Sequence, residues 1–139
     1  MDNLILVMFA AILFVGILLM VIITLTRKAP GGLNRDEFRT RWMQIERSLS
    51  VSDEGINHLA ILNADKLLDQ ALKARGFRGE TMGERLKTAS SQLSNRNAVW
   101  TAHKLRNRIA HESDVKLSPN ATRQALKAFK SGLRDLGAV

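Results

Sequence analysis

The 139-residue chain contains no cysteine, which excludes a disulfide framework and any thiolate metal site and fits a cytoplasmic setting for its folded part. No stretch alternates apolar and polar residues at the two-residue period of a strand, so the pattern points to an all-α chain. Internal repeats and low-complexity tracts are absent too. His58, His103 and His111 show no metal-ligand spacing with Asp or Glu, and neither a metal nor a cofactor is expected. The segment from Gly76 to Gly83 is glycine-rich, but no Gly-Lys-Ser/Thr follows it and no strand precedes it. It therefore lacks the context of a phosphate-binding P-loop and reads as a turn between helices.

Charge is missing from residues 4–25, LILVMFAAILFVGILLMVIITL. Those twenty-two residues, at about 1.5 Å rise each, make roughly 33 Å of helix, enough for a hydrocarbon core of about 30 Å. A cleaved signal peptide would have a shorter apolar region followed by small residues. Here Thr24-Leu25-Thr26-Arg27-Lys28 follows, with no small-x-small site. The expected organisation is a single transmembrane anchor over residues 1–28, embedded in the bilayer through residues 4–25. Only Asp2 precedes the span, whereas Arg27, Lys28, Arg35, Arg39 and Arg41 follow it. The positive-inside rule then places the C-terminal domain in the cytoplasm of a single-pass membrane protein.

What the chain has in excess is positive charge. All 21 Lys and Arg residues follow the span, against all but one of the 13 acids. Thirteen of the 21 are arginine, whose planar fork matches phosphate better than an ammonium does. The balance favours RNA or another polyanion, or an anionic lipid surface, as partner. It also suits a solvated face that keeps the domain soluble.

Ala29-Pro30-Gly31-Gly32 reads as a hinge over residues 29–33. Asn34 reads as the N-cap of a juxtamembrane helix within 34–52, with Phe38, Trp42, Ile45 and Leu49 on one face. The bundle proper is expected over 53–139. Its first helix starts at Ser52 or Asp53 and stops near Arg75-Gly76; Ile56, Leu59, Ala60, Ile61, Leu62, Leu67, Leu68, Ala71 and Leu72 give it a broad apolar face, so it should be central. A short helix is expected over Glu84–Leu93, and a longer one from about Asn95 to Glu112. Ser118-Pro119 supplies N-cap and N1 of a last helix with Ala125, Phe129, Leu133 and Leu136 as its seam and Gly137 as its cap.

The longer helix carries Arg106-Asn107-Arg108-Ile109-Ala110-His111. At about 100° per residue, Val99, Ala102, Leu105 and Ile109 form its buried seam, and His103, Asn107 and His111 a polar stripe beside it. Arg106 falls next to the seam, where an unpaired charge is costly, so it needs an acid partner or a functional anion. Asp65, Asp69 and Glu112 are the candidate acids. By themselves Arg106 fits a structural salt bridge, His111 a surface or helix-capping residue, and His58 and His103 structural roles. Arg106 and His111 lie about 140° apart. To meet at one phosphate they need a bend, a long reach or a second protomer.

Arg106 and His111 with four residues between them, the first of these the polar Asn107, on the penultimate helix of a small bundle, resemble the HEPN superfamily motif; Leu105 and Ala110-His111-Glu112 add to the likeness, which covers roughly residues 53–137. The resemblance implies an all-α, four- to five-helix HEPN-like bundle after the single transmembrane helix. It also implies a homodimer and a metal-independent endoribonuclease site at the dimer cleft. In that reading the ribose 2′-OH attacks the adjacent phosphate and leaves a 2′,3′-cyclic product. His111 is the general acid or base, Arg106 stabilises the developing charge, and Asn107 orients the histidine or the substrate. Arg108, Lys104 and His103 are the accompanying substrate-binding candidates.

Two alternatives stand beside it: a non-catalytic nucleotide- or RNA-binding or dimerisation module, which HEPN-like domains also include, and a basic domain docked on anionic lipid through Arg27, Lys28, Arg35, Arg39, Arg41 and Arg47. The topology shared by all three is directly testable. A reporter fused after Val139 is expected to be active in the cytoplasm only, and periplasmic or extracellular activity would reverse the orientation.

Overall fold

The computed structural model describes residues 2–26 and 32–139. Helix α1 spans Asp2–Thr26, α2 Arg35–Ser48, α3 Glu54–Ala74 and α4 Met82–Thr88. A 3-10 turn at Ser90–Gln92 follows, then α5 over Arg96–His111 and α6 over Pro119–Asp135. Among the described residues there is no strand. The expected cationic flank at Arg27 and Lys28, and most of the expected hinge, lie outside the described residues.

Within α1, Asn3–Ile23 is long and apolar enough to cross a membrane, and none of its side chains joins the core. The other helices start where local side chains satisfy their first free N–H groups. Asn34 Oδ1 accepts from Glu37 N at 3.3 Å, Asp53 Oδ1 from Ile56 N at 3.1 Å and Asn95 Oδ1 from Ala98 N at 3.2 Å. Ser118 Oγ accepts from Ala121 N at 3.1 Å, with Pro119 in the first turn, as the sequence led us to expect. Helix α4 departs from expectation. It begins at Met82 rather than Glu84 because Thr81 Oγ1 caps Glu84 N at 3.2 Å while the Glu84 carboxylate turns back to Glu80 N at 2.7 Å. It also stops at Thr88, and the 3-10 turn replaces the remainder of the expected helix.

Helices α3 and α6 end alike. Gly76 (φ +82°) and Gly137 (φ +70°) adopt the left-handed conformation that glycine tolerates best. Phe77 N then reaches Leu72 O at 3.1 Å, and Ala138 N reaches Leu133 O at 2.8 Å, closing each helix in a Schellman turn.

Helix α3 is the centre of the bundle. Its residues Ala60, Ile61, Ala64, Leu67, Leu68, Ala71 and Leu72 are at most 1% exposed, packed by α2, α5 and α6. Ile56 and Leu59, expected on the same buried face, are instead exposed, because they line an open cleft beside α2 rather than the packed core. Phe38, Trp42 and Ile45 of α2 enter the same core as Phe129 and Leu133 of α6, while Leu49 lies just past the end of α2 and is exposed. A Cβ at Gly132 would come within 3.2 Å of Leu68 Cδ1, so glycine sets how closely α6 approaches α3.

A buried ion pair ties α4 to α3. Arg85 forks onto Asp69 at 2.7 and 3.0 Å, and Lys73 adds a contact at 2.9 Å. Burial pushes the Asp69 carboxyl up, but hydrogen bonds from Arg85 and Lys73 outweigh it and hold the group below its ordinary value. A depressed folded-state value means the stabilisation is present above the ordinary carboxylate range and is lost as pH falls through the folded value. Urea unfolding of the wild type is therefore expected to weaken steadily below about pH 4, and Asp69→Asn to lose that component of the pH dependence. At neutral pH the variant should already be less stable by about 3 kcal/mol, since Arg85 keeps its burial without its carboxylate.

Candidate functional site

Asp65 lies on the α3 stripe of Ile61, Leu68 and Leu72 and is itself buried. A carboxylate there must be paired. Helix α5 supplies the partners one turn apart. His103 Nδ1 lies 2.7 Å from Asp65 Oδ1, and Arg106 Nε lies 3.2 Å from Asp65 Oδ2. The Arg106 contact is an ion pair without hydrogen-bond alignment, since its Nε–H completes no hydrogen bond.

Asn107 closes the arrangement into a ring. Arg106 Nη1 can only donate, so the Asn107 atom facing it at 2.9 Å is the carbonyl oxygen. The amide nitrogen then faces His103 Nε2 at 3.3 Å, and Nε2 must accept. The ring proton of His103 is therefore on Nδ1, donated to Asp65. Each group fixes the orientation of the next. The Trp100 ring packs beside His103, with centroids 5.8 Å apart, and covers one side of the network.

The ring forms part of the wall of a groove of about 980 Å³ between α3 and α5, near the start of α4. Lys66 and Lys104 line the same groove, are exposed, and have no ion-pair partner among the described residues.

Of the three candidate acids for Arg106, Asp65 is its partner; Asp69 belongs to Arg85, and Glu112 pairs with Arg108 at 3.3 Å. Arg106, Asn107 and His103 are brought together. His103 has both ring nitrogens engaged and offers neither to a substrate in this arrangement. Lys104 is at the groove. Arg108 faces a second groove, between α5 and α6, and is tied to Glu112 on the surface.

His111, the last residue of α5, is exposed, and its side chain makes no hydrogen bond or ion pair among the described residues. It is not part of the ring. Leu105 and Ile109 of the expected seam are only half-buried, so the fully buried part of α5 is Val99, Ala102 and His103. Lys66 and Trp100 belong to the groove although the motif does not point to them; their signal is helical spacing, one beside Asp65 and the other three residues before His103.

No group of three or more His, Asp or Glu side chains among the described residues gathers as a metal site. No family model, curated protein or solved structure matches the chain.

Removing the carboxylate should expose the difference between the ring and the helix end. Asp65→Ala strands the His103 N–H and the Arg106 guanidinium and is expected to cost about 3–5 kcal/mol in urea unfolding followed by circular dichroism. His111→Ala should change stability by no more than about 0.5 kcal/mol. Equal effects from the two substitutions would show that the ring does not hold α5 on α3.

Proposed function

We propose that this protein is a membrane-anchored, HEPN-like helical module that binds the phosphate backbone of RNA in the groove between α3 and α5. The observation that carries this reading is the Asp65–His103–Asn107–Arg106 ring. It holds a partly exposed guanidinium rigidly on the groove wall, and Nη2 makes no hydrogen bond within the described residues. A pre-oriented arginine is an effective phosphate ligand, because little further rotamer entropy is lost on binding. Lys66 and Lys104 flank it as exposed cations, and the half-buried Trp100 places an aromatic ring at the groove for a base to pack against.

A second reading, cleavage by a homodimer, is favoured by one feature. His111 is exposed and unpartnered among the described residues, so a second copy of α5 packed about a two-fold axis would supply it to its partner's ring. The 2′-OH would then attack the neighbouring phosphorus and the 5′-oxygen would leave. His111 of one copy would take the first proton or return the second.

Full-length protein in detergent is expected to bind labelled single-stranded RNA with an affinity that falls steeply as salt rises, and Lys66→Gln/Lys104→Gln should weaken binding without unfolding the bundle. RNA bound and left intact supports the module reading. Cleavage by the wild type that drops about 10²–10⁴-fold in His111→Ala, with DNA untouched, supports the dimeric nuclease. Salt-independent binding, or none, would remove both.

A further inference from the structure

A different surface carries a stronger and simpler charge pattern. Helix α6 places Arg123, Lys127, Lys130 and Arg134 at i, i+4, i+7 and i+11, a single stripe along its length. Arg35 and Arg39, one turn apart on α2, share with Lys130 and Arg134 a shallow groove of about 350 Å³. Two acids accompany these six cations. Glu46 is consumed by Lys130 at 2.6 Å, and Asp36 stands in the first turn of α2, where the helix dipole favours an acid. Asp135, the acid at the end of α6, lies off the stripe and is held by Ser94 N at 2.9 Å.

Arg35, Arg39, Arg123, Lys127 and Arg134 are exposed, and none of their side chains makes an ion pair or hydrogen bond among the described residues. The sequence alone groups Arg35 and Arg39 with Arg41 and Arg47. The fold sets Arg41 apart, facing Glu37 at 3.8 Å on the α3 side of the helix, and α6 contributes the rest of the basic plane.

We infer that the α2–α6 face docks on the headgroups of anionic phospholipid in the same bilayer that holds α1, an inference resting on the reading of α1 as a membrane anchor with the bundle on its cytoplasmic side. Covalent reach argues for this occupant over a nucleic acid. Eight residues separate Thr26 from Arg35. At no more than about 3.6 Å per residue they span roughly 30 Å, however they are arranged. The bundle is thus confined near the membrane surface, at an effective headgroup concentration that a free polyanion does not reach. The opposite charge is present there, because the cytoplasmic leaflet is the anionic one and a polybasic surface is attracted to it within about a Debye length. Docking would leave the α3–α5 groove to a separate ligand, since its wall is built from other helices.

The test uses the full-length chain in nanodiscs of phosphatidylcholine alone or mixed with phosphatidylglycerol. Because the chain has no cysteine, Asn120→Cys, in the first turn of α6, accepts one fluorophore, with energy transfer to a headgroup-labelled lipid as the readout. Transfer is expected to be high with phosphatidylglycerol, low without it, and to fall as salt rises. The variant Arg123→Gln/Lys127→Gln/Arg134→Gln should lose it, by about five-fold in the docked ratio per charge removed. A charge-matched control on the other side, Arg78→Gln/Lys87→Gln/Arg96→Gln, should retain it. Circular dichroism checks that both variants stay folded.

Co-elution of the chain with the discs scores the anchor separately: failure to enter any bilayer overturns that reading and the docking with it. A chain that enters the discs but shows equal transfer in both lipids, or equal loss in both variants, overturns the docking face alone. Loss of RNA binding by the α6 variant without any lipid dependence would also overturn it and reassign the face to nucleic acid.

Discussion

The constraint on which the site depends is the burial of one carboxylate. Asp65 interrupts an otherwise apolar stripe on the most buried helix of the bundle. An unpaired charge there would cost several kcal/mol, so the fold is stable only with cationic or donor groups opposite it. Helix α5 meets that demand with His103 and Arg106, one turn apart, addressing one carboxylate oxygen each. A slide of α5 by one turn would orphan all three groups at once. The register of the helix that carries the motif is therefore set by electrostatics as well as by packing.

The same logic repeats along α3. One turn beyond Asp65, Asp69 receives Arg85 and Lys73 and holds α4 in place. The central helix thus has two characters: an apolar surface that gathers α2, α5 and α6, and an acidic edge that holds α4 and orients the polar side of α5. The groove is what remains between these attachments. Within it Asp65 and Arg106 are already committed to one another, whereas Lys66 and Lys104 have no partner among the described residues, so it presents one fixed guanidinium beside two unpaired ammonium groups.

Two basic surfaces follow, and they differ in kind. The groove between α3 and α5 mixes acids with cations and presents one fixed arginine. The α2–α6 face is almost purely cationic and has no internal partners for most of its charge. A fixed guanidinium beside an aromatic ring suits recognition of a single phosphodiester. A plane of exposed, mostly unpaired cations, part of it close in sequence to an apolar helix, suits a charged surface. His111, exposed at the end of α5, belongs to neither.

Much of the molecule is readable from neighbouring residues. The apolar period of α3, α5 and α6, the caps at Asn34, Asp53, Asn95 and Ser118, and the glycines that end α3 and α6 all act within about four or five positions along the chain. The start of α4 was legible too, in Thr81-x-x-Glu84, a capping signature masked by the glycines around it. Asp65 was visible as an acid on an apolar stripe and as one possible partner for Arg106. Its choice over Asp69 and Glu112 was not, and neither was the enclosure of His103, which lies 38 positions away in the chain. The union of α2 and α6 cations into one plane was hidden for the same reason. Periodicity and capping are local properties and are written in the sequence itself; which charges meet, and which stay unpaired at the surface, depends on the register between helices, and only the packed tertiary structure decides it.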